Sequence, residues 1–463
     1  MAGHVAQRLP ADPVAAAHCR GAACVRAPAM LSSTPMATDP HRTIDAVWRI
    51  ESARIIAGLA RMLRDLDLAE ELAQDALVAA LEHWPRDGIP DNPGAWLMTT
   101  AKRRAIDRLR QRQLHQRKQA QLEHELDWQQ DSVAPMDEGL DDDIGDDLLR
   151  LMFVACHPVL GTEARIALTL RLLGGLSTDE IARAFLVPEP TIAQRIVRAK
   201  RTLADRQAVF EVPLGAERGE RLESVLEVIY LVFNEGYAAT AGDDWMRPAL
   251  CEEALRLGRV LAGLEPRVAE VHGLLALMEL QASRTRARTT AQGEPVLLLE
   301  QDRHRWDRLL IGRGLDSLGR AWKLGGSGGL YTLQAAIAAC HARAQRAEDT
   351  DWSRIAALYA QLARLAPSPV IELNRAVAVA MADGAQAGLT LVDALREAPA
   401  LQRYHLLPCV RGDLLEKLGR RDEARQEFER AAALVRNVRE RALLQARAAA
   451  CAEPATGTAA ASE

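Results

Sequence analysis

From Ile44 to about Lys118 apolar residues recur at helical spacing. In LAEELAQDALVAALEHW, Ala69, Leu72, Ala73, Ala76, Ala80 and Trp84 fall along one face, whereas Glu71, Gln74, Asp75 and Val78 gather on another. The run PRDGIPDNP, Pro85 to Pro93, has the composition of a loop. The next stretch, AWLMTTAKRRAIDRLRQR, predicts a helix with Leu97, Met98, Ala101, Ala105 and Leu109 turned inward. Its other side carries Thr99, Thr100, Arg103, Asp107 and Arg110.

Between Gln121 and Asp147 the chain carries Glu123, Glu125, Asp127, Asp131, Asp137, Glu138, Asp141, Asp142, Asp143, Asp146 and Asp147 with no Lys or Arg, a composition that suits a solvated linker. Helical periodicity resumes at Leu148 and runs to about Arg206. Within it, LSTDEIARAFLVPEPTIAQRIVRAKRTL reads as helix, turn, helix. Ser177 and Glu180 make a capping box, Pro188 breaks the first helix, and Pro190 suits the first turn of the second. In that second helix Ile192, Ile196, Ala199 and Leu203 form an apolar stripe, while Thr191, Gln194, Arg195, Arg198 and Arg201 project outward. Such side chains suit base edges and phosphates of a major groove. The same residues also fit a surface-charged helical hairpin.

After EVPLGAERGE the pattern is helical again to about Ala450. No stretch reads firmly as strand, so the predicted class is all-α. In LLEKLGRRDEARQEFERAAAL, Leu415, Leu418, Gly419, Ala424, Phe428 and Ala431 follow a tetratricopeptide pattern, and Gly384 lies thirty-five positions before Gly419. This predicts an array of helical hairpins. The expected segments are therefore an unstructured extension 1–40 (with Met36 as an alternative start), a helical bundle 41–118, a linker 119–147, a helix-turn-helix bundle 148–207, a larger helical domain 208–450 and a disordered tail 451–463.

Charge narrows the functional classes. Lys and Arg total 58 against 63 acids, a net charge of −5, so any nucleic-acid contact must come from local patches. No apolar run approaches the roughly 20 residues needed to span a bilayer, and no membrane contact is expected. The cysteines, Cys19, Cys24, Cys156, Cys251, Cys340, Cys409 and Cys451, contain no CxxC pair. A reduced, cytoplasmic chain without metal or cofactor explains them. Cys156–His157 and Cys340–His341 lie in apolar stretches, where packing is a better account than a nucleophile pair. DRHRWD, Asp302 to Asp307, has the look of a site, but a solvated or ion-paired helix accounts for it more readily. No P-loop, GxSxG or HExxH motif supports an enzyme.

Taken together, LAEELAQDALVAALEHWP, NPGAWLMTTAKRRAIDRLRQRQ, the acidic spacer and EARIALTLRLLGGLSTDEIARAFLVPEPTIAQRIVRAKRTL resemble, in order and spacing, regions 2 and 4 of extracytoplasmic-function (ECF) sigma factors of the sigma-70 family. The remainder, with YLVFNEGY, YTLQAAIAA, EDTDW and SPVIELNRAVAV, is similar to the long helical extension of one subgroup. The resemblance implies that core RNA polymerase and promoter DNA are the partners. It implies that Glu71, Gln74, Asp75 and Val78 meet core polymerase, and that Thr99, Thr100, Arg103 and Arg104 meet the −10 element, with Pro85–Pro93 placed to receive an unstacked base. It implies that Thr191, Gln194, Arg195, Arg198 and Arg201 meet the −35 element. The loop departs from the pattern in lacking an aromatic residue; Trp96 fits either that platform or plain core, and core is favoured. A signal protein or ligand at the C-terminal domain is the remaining partner class, with Asn234, Glu235, Asp302, Arg303, Asn374 and Arg375 as its polar candidates. The competing readings are a tetratricopeptide adaptor with a degenerate N-terminal part and a helix-turn-helix repressor that acts without polymerase.

Overall fold

The computed structural model describes residues 40–123 and 144–452, apart from 186, 207, 209, 239–245, 291–293, 295, 436 and 437. The expected N-terminal extension, most of the acidic linker and the C-terminal tail lie outside the described residues. The described chain is helical, without a β-strand, and forms two compact units that divide between Val228 and Ile229. The sequence instead suggested a boundary near 208.

The first unit opens with α1 (Pro40–Leu63), α2 (Leu66–Asp87) and α3 (Pro93–Glu123). Their shared core joins Ile55, Leu59, Ala69, Ala73, Ala76, Ala80, Trp84, Leu97, Ala101 and Ala105, all buried. The many alanines on α2 let the helix axes approach closely, as ridge-and-groove packing requires. Asp65 starts α2 by accepting from Leu68 N at 3.0 Å, and Asn92 starts α3 by accepting from Ala95 N at 3.1 Å.

Two expected boundaries move. The helix α2 continues through Pro85 to Asp87, so the loop comprises only residues 88–92. Proline is tolerated there because it lies in the last turn, and Gly88, at φ 89°, provides the exit. The helix α4 (Ile144–Ala155) begins before the expected end of the linker. Asp146 and Asp147 occupy its first turn, where the helix dipole favours acids. Asp147 is buried between Arg61 at 3.0 Å and Arg150 at 2.6 Å.

The helices α5 (Thr162–Leu172), α6 (Thr178–Phe185) and α7 (Glu189–Asp205) form the helix-turn-helix bundle. The capping box is present: Ser177 N donates to Glu180 Oε2 at 2.8 Å, and Glu180 N donates to Ser177 Oγ at 3.1 Å. The helix α8 spans Gly215–Tyr237, and its first half, to Val228, completes this unit. Arg165 on α5 donates to Ser224 Oγ at 2.6 Å and pairs with Glu227 at 3.0 Å. Ser224 Oγ donates to the Cys156 carbonyl at 2.5 Å, and Arg221 donates to the Phe153 carbonyl at 2.9 Å. The start of α8 therefore satisfies backbone carbonyls at the end of α4 that burial would otherwise leave without partners.

The second unit continues with α9 (Pro248–Leu264), α10 (Ala269–Ala282), α11 (Arg308–Lys323), α12 (Leu330–Arg343), α13 (Trp352–Leu365), α14 (Pro369–Asp383), α15 (Ala385–Ala394), α16 (Leu406–Lys417), α17 (Arg421–Leu434) and α18 (Val438–Ala452). Successive helices from α13 onward pack against one another. Phe428 on α17 is fully buried against Gly412 on α16, where an added Cβ would come within 2.8 Å of the ring. Gly388 on α15 plays the same part against Ala380 on α14. The glycines at the turns, Gly384 and Gly419, adopt φ values of 101° and 77°.

Two of the recurring phrases explain each other. Tyr230 of YLVFNEGY meets Tyr331 of YTLQAAIAA edge to face at 5.4 Å, and its hydroxyl donates to Gln334 at 3.0 Å. Glu270 on α10 caps the N-terminus of α12, accepting from Tyr331 N, Thr332 N and Thr332 Oγ1.

Candidate nucleic-acid and polymerase interface

The exposed side of α7 is the one the periodicity predicts. Ile192, Ile196, Ala199 and Leu203 are buried, while Thr191, Gln194, Arg198 and Arg201 are exposed. The four cationic residues of this helix differ in their engagements. Arg195 is half-buried and held at 2.5 Å by Glu163 of α5. Arg201 faces Asp205 loosely at 3.8 Å. Arg198 has no ion pair among the described residues, and its guanidinium is therefore the readiest to meet an anion.

Lys200 turns the other way, a feature the periodicity alone did not single out. It reaches α2, 2.6 Å from Asp67 and 2.7 Å from Glu70. Glu70 also meets Arg171 of α5 at 2.5 Å. Burial would raise the Glu70 carboxyl, but Lys200 and Arg171 outweigh it and hold its pKa below the ordinary carboxylate value. Burial would likewise lower Lys200, and the two acids hold it above its ordinary value. The helix-turn-helix bundle is thus bound to the first bundle through a nearly buried ion cluster. The clue in the sequence was a lysine among arginines and an acid, Glu70, beside the apolar stripe of α2.

On α2 itself, Glu71, Gln74, Asp75 and Val78 lie together on the accessible side, with Glu71 and Val78 exposed and Gln74 and Asp75 half-buried. Arg104 on α3 sits 3.4 Å from Asp75, and Arg108 sits 3.9 Å from Glu71. Two sets of residues that the sequence assigned to different partners therefore touch each other. These pairs are exposed, worth at most about 1 kcal/mol each, so a competing partner displaces them cheaply.

At the end of α2 a cavity of about 340 Å³ opens between His83, Trp84, Asp87, Gly88, Ile89, Pro90 and Trp96. Trp84 is core. Trp96 is only half-buried; it meets Trp84 edge to face at 5.5 Å and presents its remaining surface to this cavity. Of the two readings the sequence left open, plain core does not describe Trp96 fully, because part of its ring lines this cavity. Trp96, Thr99, Thr100 and Arg103 share one face of α3 by their spacing, with Thr99 and Arg103 exposed and Thr100 half-buried.

The other candidates have structural roles. Cys156 Sγ pairs with Thr169 Oγ1 at 3.3 Å rather than with His157, and burial pushes its thiol up to about 11. His157 is pushed down, by burial first and by Arg221 second, and its Nδ1 accepts from Val159 N. His341 is buried edge to face with Trp352 at 5.2 Å. Of the C-terminal candidates, Glu235 pairs with Arg247, Arg375 with Glu372, Asp302 caps the turn Arg303–Arg305, and Arg303 is buried. No group of His, Cys, Asp and Glu among the described residues is arranged to hold a metal ion, and no described helix is long and apolar enough to cross a membrane. The five described cysteines are free and buried.

Comparison with known proteins assigns the two N-terminal modules. Residues 50–115 match Sigma-70 region 2 and residues 150–203 match Sigma-70, region 4. Residues 221–322 match a family of unknown function (DUF6596). An uncharacterized protein of Rhizobium meliloti is 45% identical over 84% of this chain and 91% of its own length. A probable ECF RNA polymerase sigma factor, SigI, of Mycobacterium tuberculosis is 26% identical over 38% of this chain and 60% of its own. The ECF RNA polymerase sigma factor SigK of Mycobacterium ulcerans is 32% identical over 32% of this chain and 78% of its own. No solved structure matches. With both sigma modules in order, each built on the helices that carry its motif, the chain belongs to the ECF sigma factors of the sigma-70 family and bears an additional helical C-terminal domain.

Proposed function

We propose that this chain directs promoter-specific transcription initiation: α2 docks on core RNA polymerase through Glu71, Gln74, Asp75 and Val78, α7 reads the −35 element, and α3 opens the −10 element. The observation that carries this reading is the α7 surface, where Thr191, Gln194, Arg198 and Arg201 stand exposed over a fully buried apolar stripe. A helix so mounted enters a major groove without losing its packing.

For the −10 element, Trp96 at the cavity rim supplies the ring the loop itself lacks. An unstacked base placed there recovers about 1–3 kcal/mol of stacking, with Thr99, Thr100 and Arg103 continuing the track toward the phosphates. Arg104 contributes only after leaving Asp75. The C-terminal unit modulates initiation in this reading.

Run-off transcription with purified core polymerase tests the proposal. The expected result is initiation at matched promoters that depends on this chain. Failure to bind core while duplex DNA is bound tightly would favour a polymerase-independent regulator, and failure of both would favour an adaptor.

A further inference from the structure

In the second unit the turns Thr285–Ala287 and Arg303–Arg305 and the start of α11 flank an open surface cavity. Its wall carries Arg286, His304, Arg305 and Arg308, all exposed. None of these four side chains makes a hydrogen bond or ion pair among the described residues. Surface arginines elsewhere in this chain commonly find an acid one turn away, as Arg420 does with Glu423 and Arg346 with Asp349. The carboxylate lining this cavity, Asp307, is already engaged: its Oδ1 accepts from Leu309 N and Leu310 N at 2.9 and 3.1 Å to cap α11.

Beneath the rim the positive charge continues. Trp306, which lines the cavity, is buried with the Arg303 guanidinium 4.9 Å and the Arg284 guanidinium 5.9 Å from its ring. Arg303 is itself only 5% exposed and donates to neutral acceptors, the carbonyls of His341 and Ala344 and the hydroxyl of Thr350. Its Nε and the indole Nε1 of Trp306 are buried without a hydrogen-bond partner. Burial first, and then the charge of Arg284, lowers the Arg303 pKa, which measures how costly this positive charge is to hold.

A chain with a net charge of −5 therefore gathers cationic groups around one concavity and leaves the outer ones without an ion pair among the described residues. Guanidinium forks match phosphate oxygens in pairs. We propose that this cavity binds a small ligand carrying two or more phosphate groups, gripped by Arg286, Arg305 and Arg308. The site falls inside the matched family of unknown function, and the proposal stands whether or not the sigma reading does.

Calorimetric titration of the full-length chain with inorganic pyrophosphate at low ionic strength tests it, with sulfate as the control anion. The expected result is saturable binding of pyrophosphate that weakens at least about tenfold in Arg305→Ala/Arg308→Ala, through loss of the bidentate contacts, and is unchanged in Arg420→Ala. Arg305→Lys/Arg308→Lys, which keeps the charge but not the fork, should recover only part of the loss. Because the substituted residues are exposed, the thermal unfolding midpoint should not move. Absence of pyrophosphate binding, binding indifferent to the double alanine variant, or equal binding of sulfate overturns the proposal. A labelled duplex in a parallel arm separates the other source of phosphate: if the double variant weakens duplex binding while pyrophosphate does not bind, the patch belongs to a DNA backbone and the small-ligand site is rejected.

Discussion

Lys200 of α7 lies 2.7 Å from Glu70 of α2, and both side chains are about nine-tenths buried. The pair joins the helix proposed to read DNA to the helix proposed to dock on polymerase. Arg171 on the other side of Glu70 and the exposed Asp67 beside Lys200 complete a four-member cluster.

Removal of Glu70 leaves Arg171 without its acid and Lys200 with only the exposed Asp67. Glu70→Ala is expected to cost about 3–5 kcal/mol, the range for an uncompensated buried charge. Urea unfolding followed by helical circular dichroism checks this. A loss below 1 kcal/mol would mean that the cluster is solvated in solution.

The same cluster sets an acid limit. The Glu70 pKa is depressed in the folded chain, so its contribution is fully present above its unfolded value of about 4.5 and is lost as pH falls through the lower, folded value. Stability measured between pH 6 and pH 3 should fall more steeply in the parent chain than in Glu70→Gln, which has no proton to gain.

On α7, Arg198 and Arg195 should differ. Arg198→Ala is expected to cost about 1–3 kcal/mol of promoter affinity if the contact is bidentate to a base. Arg195→Ala should cost less, because in the free chain Arg195 must first leave Glu163 at 2.5 Å. Holoenzyme binding to matched and scrambled −35 duplexes distinguishes the roles: equal losses on both would assign Arg198 to phosphate.

Trp96→Ala should impair opening rather than docking. Stacking on an aromatic ring contributes about 1–3 kcal/mol per base, so permanganate reactivity of the −10 element should drop while affinity for core polymerase holds. Trp96→Phe should restore most of the reactivity. A premelted template that removes the defect would support base capture, whereas an equal defect on that template would point to misfolding of the α2–α3 corner.

Much of this is legible in the sequence. The apolar stripe of α7, the capping box at Ser177 and Glu180, and the burial of Phe428 all follow from spacing within one or two helices. What the spacing could not reveal involved partners distant in sequence. Glu70 sits 130 positions from Lys200, and nothing local marks either as buried. Trp96 could not be resolved between core and platform because burial tendency is an average over tryptophans, whereas this ring is only half-buried. Asp147 looked like linker because composition counts an acid as solvated; Arg61, far upstream, buries it.

The last expectation concerns where the sigma part ends. A fragment stopping at 211 matches the two sigma modules but removes Arg221, Ser224 and Glu227, the residues of α8 that hold Arg165 and the carbonyls of Phe153 and Cys156. Without α8 the Phe153 and Cys156 carbonyls lose their protein donors and Arg165 loses its acid, so the α4–α5 core is left short of contacts. A 36–211 fragment should therefore unfold at markedly lower urea than a 36–228 fragment, which keeps these contacts. Low run-off activity from 36–211 would then report a damaged α4–α5 core rather than the missing domain. The 36–228 fragment gives the cleaner comparison: it is expected to bind core polymerase and to initiate less well than the full chain. Initiation equal to full length would show that the C-terminal unit does not modulate this step and would leave it as a partner- or ligand-binding module.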